Sequence, residues 1–157
     1  MKANLDQSIQ IAQGLGVIKF GFTTEDMQRY LGTPDEVETL DPGTDSAVMW
    51  YYVGQKLQII FQKSATDGAM SITQLTTSHP TATLWGTRII GRPENEVLAL
   101  FKAHGREEFT EWEESPDAPS YKSFRMENLR VTLDFRNGLL QRVLWGSLDV
   151  SGGAKVA

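Results

Sequence analysis

The stretch LRVTLDFRNGLLQRVLW, from Leu129 to Trp145, places strong limits on how this chain can fold. From Leu129 to Phe135 its apolar and polar residues alternate strictly, and a period of two is typical of a strand with one buried face. Asn137-Gly138 is the strongest short-range signal for a tight hairpin turn. The following LLQRVLW is therefore predicted to return as the partner strand.

A second hairpin is predicted in AVMWYYVGQKLQIIFQK, residues 47–63. Leu57, Ile59 and Phe61 alternate with polar residues, apart from Ile60, and VGQK is predicted to be the turn. Further strands are expected in TDGAMSITQLTT and TATLWGTRII, so the sequence favours a sheet built from hairpins.

Two capped helices precede these groups of strands, in FGFTTEDMQRYLGTPDE (20–36) and IIGRPENEVLALFKAHGREE (89–108). Thr23 is predicted to cap the first helix, with acidic residues in its first turn, and Gly32 and Pro34 are predicted to end it. In the second helix Pro93 is predicted to be the first helical residue. A third, short amphipathic helix is predicted in residues 4–13, where Leu5, Ile9 and Ala12 would share one face.

Each half of the chain thus has the order helix, acidic loop, strand, strand, turn, strand, and the halves align at an offset of 70 to 72 residues. We predict an α+β fold in which helices pack on one face of an antiparallel sheet, because the strands form hairpins and the helices are segregated from them. A single domain is expected over residues 1–157, with two tandem helix-β-β-β repeats at about 17–80 and 86–148. The alternative is that helices and hairpins resemble each other in any α+β chain and that no duplication occurred.

The string FGFTTEDMQRYLGTPDE, followed by the aromatic WYY, an alternating strand and a turn, resembles a known helix-then-hairpin module. That module occurs in the SmpA/OmlA-type outer-membrane assembly lipoproteins and, in tandem, in the beta-lactamase inhibitor protein; it is also similar to immunity-type proteins encoded beside bacterial toxins. The resemblance covers residues 17–77 and, more weakly, 86–146. It implies a bacterial protein-binding scaffold without catalysis. The chain lacks the lipobox cysteine of the lipoproteins and the disulfides of the inhibitor.

Composition argues against several kinds of chemistry. The chain of 157 residues has no cysteine, which excludes disulfides and thiolate nucleophiles, and its net charge of −5 disfavours nucleic acid as a partner. We expect no cofactor and no metal site, because His79 and His104 lie apart and neither is in a metal-binding motif. His104 is instead expected at the end of a helix. Without a signal-peptide pattern or a long apolar stretch, the protein is expected to be soluble and cytoplasmic, with no membrane partner.

Acidic residues follow each helix and suggest a surface for a basic protein. Negative charge steers the encounter with such a partner, and aromatic side chains supply binding energy. The candidate partner-binding residues are Asp35, Glu36, Trp50, Tyr52, Glu108, Phe109, Glu111, Trp112, Glu113 and Glu114. The plainer interpretation is that the acidic loops are merely solvated and the aromatic residues belong to the core.

We therefore expect a non-catalytic binding or inhibitor protein, immunity-like, with a basic toxin or enzyme as its partner. The alternative is a small-ligand carrier or sensor, with Trp50, Tyr52 and Trp145 lining an apolar pocket between sheet and helices. A third hypothesis is an enzyme that uses the scattered carboxylates. The sequence leaves the oligomeric state open.

Overall fold

The computed structural model describes residues 5–40, 43, 46–64, 68–106, 110–112, 121–126 and 129–147, with the backbone alone described for 110–112. Within these residues there are two α-helices, α1 (Thr24–Leu31) and α2 (Glu94–Ala103). The strands of the first half are β1 (Ser8–Gln10), β2 (Gly14–Leu15), β3 (Ile18–Lys19), β4 (Glu36–Thr39), β5 (Ala47–Tyr52), β6 (Leu57–Lys63) and β7 (Met70–Thr77). Those of the second half are β8 (Thr83–Leu84), β9 (Thr87–Arg88), β10 (Thr110–Trp112), β11 (Tyr121–Met126), β12 (Val131–Arg136) and β13 (Leu139–Gly146).

The larger sheet of the described chain has eight strands in the order β10-β11-β12-β13-β7-β6-β5-β4, and all neighbours are antiparallel. Both predicted hairpins are present as β5-β6 and β12-β13. At the centre of the sheet β7 pairs with β13, from Thr77 opposite Val143 to Gln74 opposite Gly146. The α+β class and the antiparallel sheet predicted from the sequence are therefore confirmed.

The core lies against one face of this sheet. Along β6 the residues Leu57, Ile59 and Phe61 are buried, and along β12 Val131 and Leu133 are buried, so every second side chain faces inward. Both helices contribute their buried side chains to the same apolar cluster. The opposite face, which we call the outer face, carries polar and partly exposed side chains such as those of Met49, Tyr51, Gln58, Gln74 and Thr132.

A second, smaller sheet has the order β3-β2-β1-β8-β9, with β1 and β8 parallel. Trp145 of β13 joins the two sheets, because its indole Nε1 donates a buried hydrogen bond of 3.0 Å to the Gly14 carbonyl of β2. The sequence did not lead us to expect this sheet, most of whose strands are two residues long.

The predicted helix at residues 4–13 is wrong, since this segment contains β1. Leu5, Gln7 and Ile9 are the buried residues here, which is the period of a strand. Because Gln7 is polar although it is buried, this period cannot be recognised in the sequence. Its side chain accepts a hydrogen bond from the Thr77 hydroxyl (3.0 Å) and donates one to the Gln55 carbonyl (3.3 Å), which offset the cost of burying it.

Helix α1 begins and ends as predicted. Thr23 caps it with a reciprocal pair of bonds to Asp26, and Gly32 ends it with a positive φ of 81°. Helix α2 begins one residue later than predicted, because Pro93 is extended and serves as its N-cap.

Candidate binding edge and outer face

Two of the predicted partner-binding residues lie in the core. Trp50 is 9% exposed and packs on Phe61, with ring centroids 4.8 Å apart. Tyr52 is fully buried, and its hydroxyl donates a 2.7 Å hydrogen bond to the carbonyl of Gly32 at the end of α1. Burial, with a smaller contribution from Asp35, raises the pKa of Tyr52 to about 12. We therefore correct the expectation that these two side chains are surface anchors: they fill the space between sheet and helix.

The apolar pocket expected between sheet and helices involves the same side chains. Trp50, Tyr52 and Trp145 are all buried, and the polar atoms of the latter two are bonded to the backbone carbonyls of Gly32 and Gly14. All three side chains belong to the apolar core cluster.

The two acidic segments lie at opposite ends of the larger sheet, because one contains β4 and the other contains β10, its two outermost strands. Seven strand spacings of about 4.8 Å separate them, or roughly 34 Å in a flat sheet. The predicted acidic and aromatic surface is thus divided into two separate edges. Glu111 and Trp112 are in β10, and Glu108, Phe109, Glu113 and Glu114 lie outside the described residues.

Strand β4 carries the other predicted acidic residues. All four of its residues, Glu36–Thr39, are exposed, and the apolar side chains of Val37 and Leu40 are 59% and 41% exposed. Asp35 has a structural contact, since its Oδ2 accepts a 2.7 Å hydrogen bond from the Val53 N–H. Glu36 and Glu38 are therefore the carboxylates of this edge that face solvent.

The outer face contains a cavity that the sequence did not reveal. It has a volume of about 360 Å³, and two arginine side chains, those of Arg125 and Arg130, line it. Gly146, the last residue of β13, also lines the cavity, and a glycine in a strand is the signal in the sequence that could have indicated a close approach of another group.

The histidines are in structural positions. His104 caps the C-terminus of α2, where its Nδ1 is 3.0 Å from the Leu100 carbonyl oxygen. Its ring stacks on that of Trp85, with ring centroids 4.0 Å apart. Nδ1 of His79 accepts a 3.1 Å hydrogen bond from the Thr81 N–H, and burial, followed by Lys56, lowers the pKa of His79. Within the part of the chain that the structure describes, no group of three or more His, Asp or Glu side chains could hold a metal ion.

Neither helix in the described ranges is long and apolar enough to span a membrane. No family model matches the sequence, and no curated protein matches it significantly. A search of solved structures found a likeness to an extracellular protein containing a SCP domain from Bacillus anthracis str. Ames. The sequences are 12% identical with a TM-score of 0.49, over 81% of this chain and 43% of that one. A likeness at this level carries no inference about fold or function.

Proposed function

We propose that the protein is a non-catalytic protein-binding module that binds a basic, extended segment of its partner at the edge strand β4. The observation that carries the proposal is that this outermost strand is exposed along its whole length and bears two solvent-facing glutamates. Edge strands with unpaired backbone groups can accept a further strand from another chain.

The backbone of β4 is arranged for such pairing. Leu40 donates its N–H to the Ala47 carbonyl of β5 at 3.1 Å. Because hydrogen-bonding direction alternates along an antiparallel strand, the backbone groups of Glu36 and Glu38 also face β5, and those of Val37 and Thr39 face away from it. Among the described residues, no strand pairs with β4 on that side.

The side chains of β4 favour a basic partner. Glu36 and Glu38 are opposite Tyr51 and Met49, so their carboxylates lie at the margin of the outer face. A strand that places Lys or Arg beside these carboxylates gains favourable charge contacts, whereas an acidic strand, or a second copy of β4, is repelled. The exposed Val37 adds apolar contact on the other side of the strand.

The resemblance to the lipoprotein and inhibitor modules supports a binding role, and an immunity-like pairing with a basic toxin or enzyme is the proposed context. The acidic residues on β4 also protect the edge from aggregation. The two roles are distinguished by whether a basic strand binds at all.

The test uses a labelled peptide in which Lys alternates with Val, with blocked termini, and fluorescence anisotropy at low ionic strength. Val37→Pro removes the outward N–H of β4 without removing a bond to β5, and we expect it to weaken binding at least about tenfold. Val37→Thr keeps the N–H and is the matched control, with affinity changed by less than about threefold. A peptide with Glu in place of Lys should not bind. Equal affinity of the Pro and Thr variants, or no binding by the wild type, would refute the proposal.

We also propose that the chain is a tandem duplication, in which α1 with β4–β7 corresponds to α2 with β10–β13. In each half, a matching backbone hydrogen bond joins the segment before the helix to the last strand of that half. Gly21 N–H donates to the Ile72 carbonyl at 3.0 Å, and Gly91 N–H donates to the Leu140 carbonyl at 2.8 Å.

The irregularities of the two halves also correspond. A register shift occurs between Ile60 and Phe61 of β6, and another occurs between Asp134 and Phe135 of β12. The proposed correspondence therefore pairs Ile60 with Asp134, an offset of 74, and Ile72 with Leu140, an offset of 68. It replaces the offset of 70 to 72 residues that the sequence suggested. Superposing the two halves in a crystal structure tests it, and bulges that do not coincide would contradict it.

A further inference from the structure

We propose that the cavity on the outer face binds an oxyanion group, a carboxylate or a phosphate of a small ligand, through the guanidinium of Arg130. The cavity lies where β11, β12, β13 and β7 run side by side. Its volume of about 360 Å³ is at the lower end of the range for small-molecule sites. It is lined by Gln74, Arg125, Arg130, Thr132, Leu144, Trp145 and Gly146.

The backbone fixes the position of Arg130. This residue lies in the connection between β11 and β12 with a φ of 54°, a left-handed conformation that is uncommon for a long side chain. Its carbonyl accepts a 3.1 Å hydrogen bond from the Gly146 N–H of β13. The backbone from which the Arg130 side chain extends is therefore held in a defined position beside the sheet.

Gly146 makes room for this guanidinium. A Cβ added to Gly146 would lie 3.2 Å from Nε of Arg130 and 3.2 Å from the Thr73 carbonyl oxygen, tighter than ordinary contact. The φ of Gly146 is not in the left-handed region, so its backbone conformation does not require glycine. The glycine instead allows Arg130 to lie close against the strand.

The first half of the chain offers an internal comparison, under the duplication proposed above. There Lys56 has a φ of 50°, and its carbonyl accepts a 3.1 Å hydrogen bond from Ser78. The corresponding backbone hydrogen bond thus has Ser78 in the place of Gly146 and Lys56 in the place of Arg130. In the second half, Gly146 and Arg130 together bring a planar guanidinium onto the sheet. A planar guanidinium is suited to binding an oxyanion.

Charge and donors at the cavity fit such a ligand. The nearby carboxylate of Asp134 is occupied, because it accepts hydrogen bonds from Ser123 Oγ (2.7 Å) and Arg142 Nε (2.6 Å). Within the described residues, Arg130 forms no ion pair, so no carboxylate there neutralises its positive charge. Arg125 adds a second positive charge to the lining, and Thr132 and Gln74 add neutral donors.

The experiment follows the backbone amide of Gly146 and the Nε–H of Arg130 by NMR at constant ionic strength. Inorganic phosphate and citrate are titrated separately across the millimolar range. We expect saturable shifts at both groups with at least one of the two probes. Saturation by phosphate alone assigns a phosphate ligand, saturation by citrate alone assigns a carboxylate, and saturation by both assigns a general oxyanion site.

Variants separate the site from general attraction by positive charge. Arg130→Gln should weaken binding at least about tenfold, and Lys56→Gln, its counterpart in the first half, should leave binding unchanged. Gly146→Ser should also weaken binding, since the serine side chain displaces the guanidinium. If this variant does not fold, the comparison of Arg130→Gln with Lys56→Gln still tests the proposal. Val37→Pro should have no effect, which keeps this result independent of the β4 proposal. The absence of saturable shifts, or equal affinity of the Arg130→Gln variant and the wild type, would overturn the inference.

Discussion

Replacing Tyr52 with phenylalanine tests whether this aromatic residue is part of the core rather than of a binding surface. The ring is fully buried and its hydroxyl donates a 2.7 Å hydrogen bond to the Gly32 carbonyl. Tyr52→Phe keeps the ring but leaves that carbonyl without this donor. A lost buried hydrogen bond of this kind costs about 1–2 kcal/mol of unfolding free energy at neutral pH.

The pKa of Tyr52 adds a second, independent readout. Because the pKa is raised to about 12 in the folded state from an ordinary value of 10.0, the folded protein holds this proton more tightly than the unfolded chain does. The resulting stability is present below pH 10 and is lost as pH rises from about 10 to about 12. The stability advantage of the wild type over Tyr52→Phe should therefore shrink across this window.

Urea denaturation at pH 7 and at several pH values between 9 and 12 measures both effects, and the difference between wild type and variant cancels the titration of all other groups. Tyr51→Phe, on the outer face, is the matched control and should change the free energy of unfolding by less than about 0.5 kcal/mol. Tyr52→Phe should leave binding of the basic peptide unchanged. Equal stability of Tyr52→Phe and wild type at pH 7, or a selective loss of peptide binding with intact stability, would refute the core assignment.

Two further predictions concern stability. Gly14→Ala should destabilise the protein by more than about 3 kcal/mol in thermal or urea denaturation, because the added Cβ would lie 1.9 Å from the Ile18 carbonyl oxygen; a near-neutral effect would contradict the close strand approach. Since burial and, to a smaller extent, Lys56 lower the pKa of His79, its contribution to stability is present above its unfolded pKa of 6.5 and is lost as pH falls below that value. His79→Asn should reduce the difference in unfolding free energy between pH 7.5 and pH 5, whereas an unchanged difference would contradict a lowered pKa of His79 in the folded protein.

The sequence predicts the larger sheet well because local pattern and burial agree there. Leu57, Ile59 and Phe61 alternate with neighbours on the outer face, and Asn137-Gly138 forms the turn between β12 and β13. The same alternation in WYY separates Trp50 and Tyr52 from Tyr51, so the burial of the first two was readable once a core face was assigned.

The smaller sheet could not be predicted from local pattern. Its strands are too short to show a period, and Gln7 is polar where a period of two requires an apolar residue. Tertiary contacts decide the conformation there, through the bonds of Gln7 to Thr77 and Gln55. The arginine cavity depends likewise on contacts between residues distant in sequence, since Arg130 and Gly146 meet only after β12 and β13 pair.

Hydrogen exchange of the β4 amides tests whether this edge of the sheet receives a partner strand, as we propose. Exchange rates at Val37 and Thr39 are measured by NMR with and without the alternating Lys-Val peptide at saturation. We expect these two outward amides to become protected on binding, while the amides of Glu36 and Glu38, which face β5, change little. Protection elsewhere, with Val37 and Thr39 exchanging as fast as in the free protein, would contradict it.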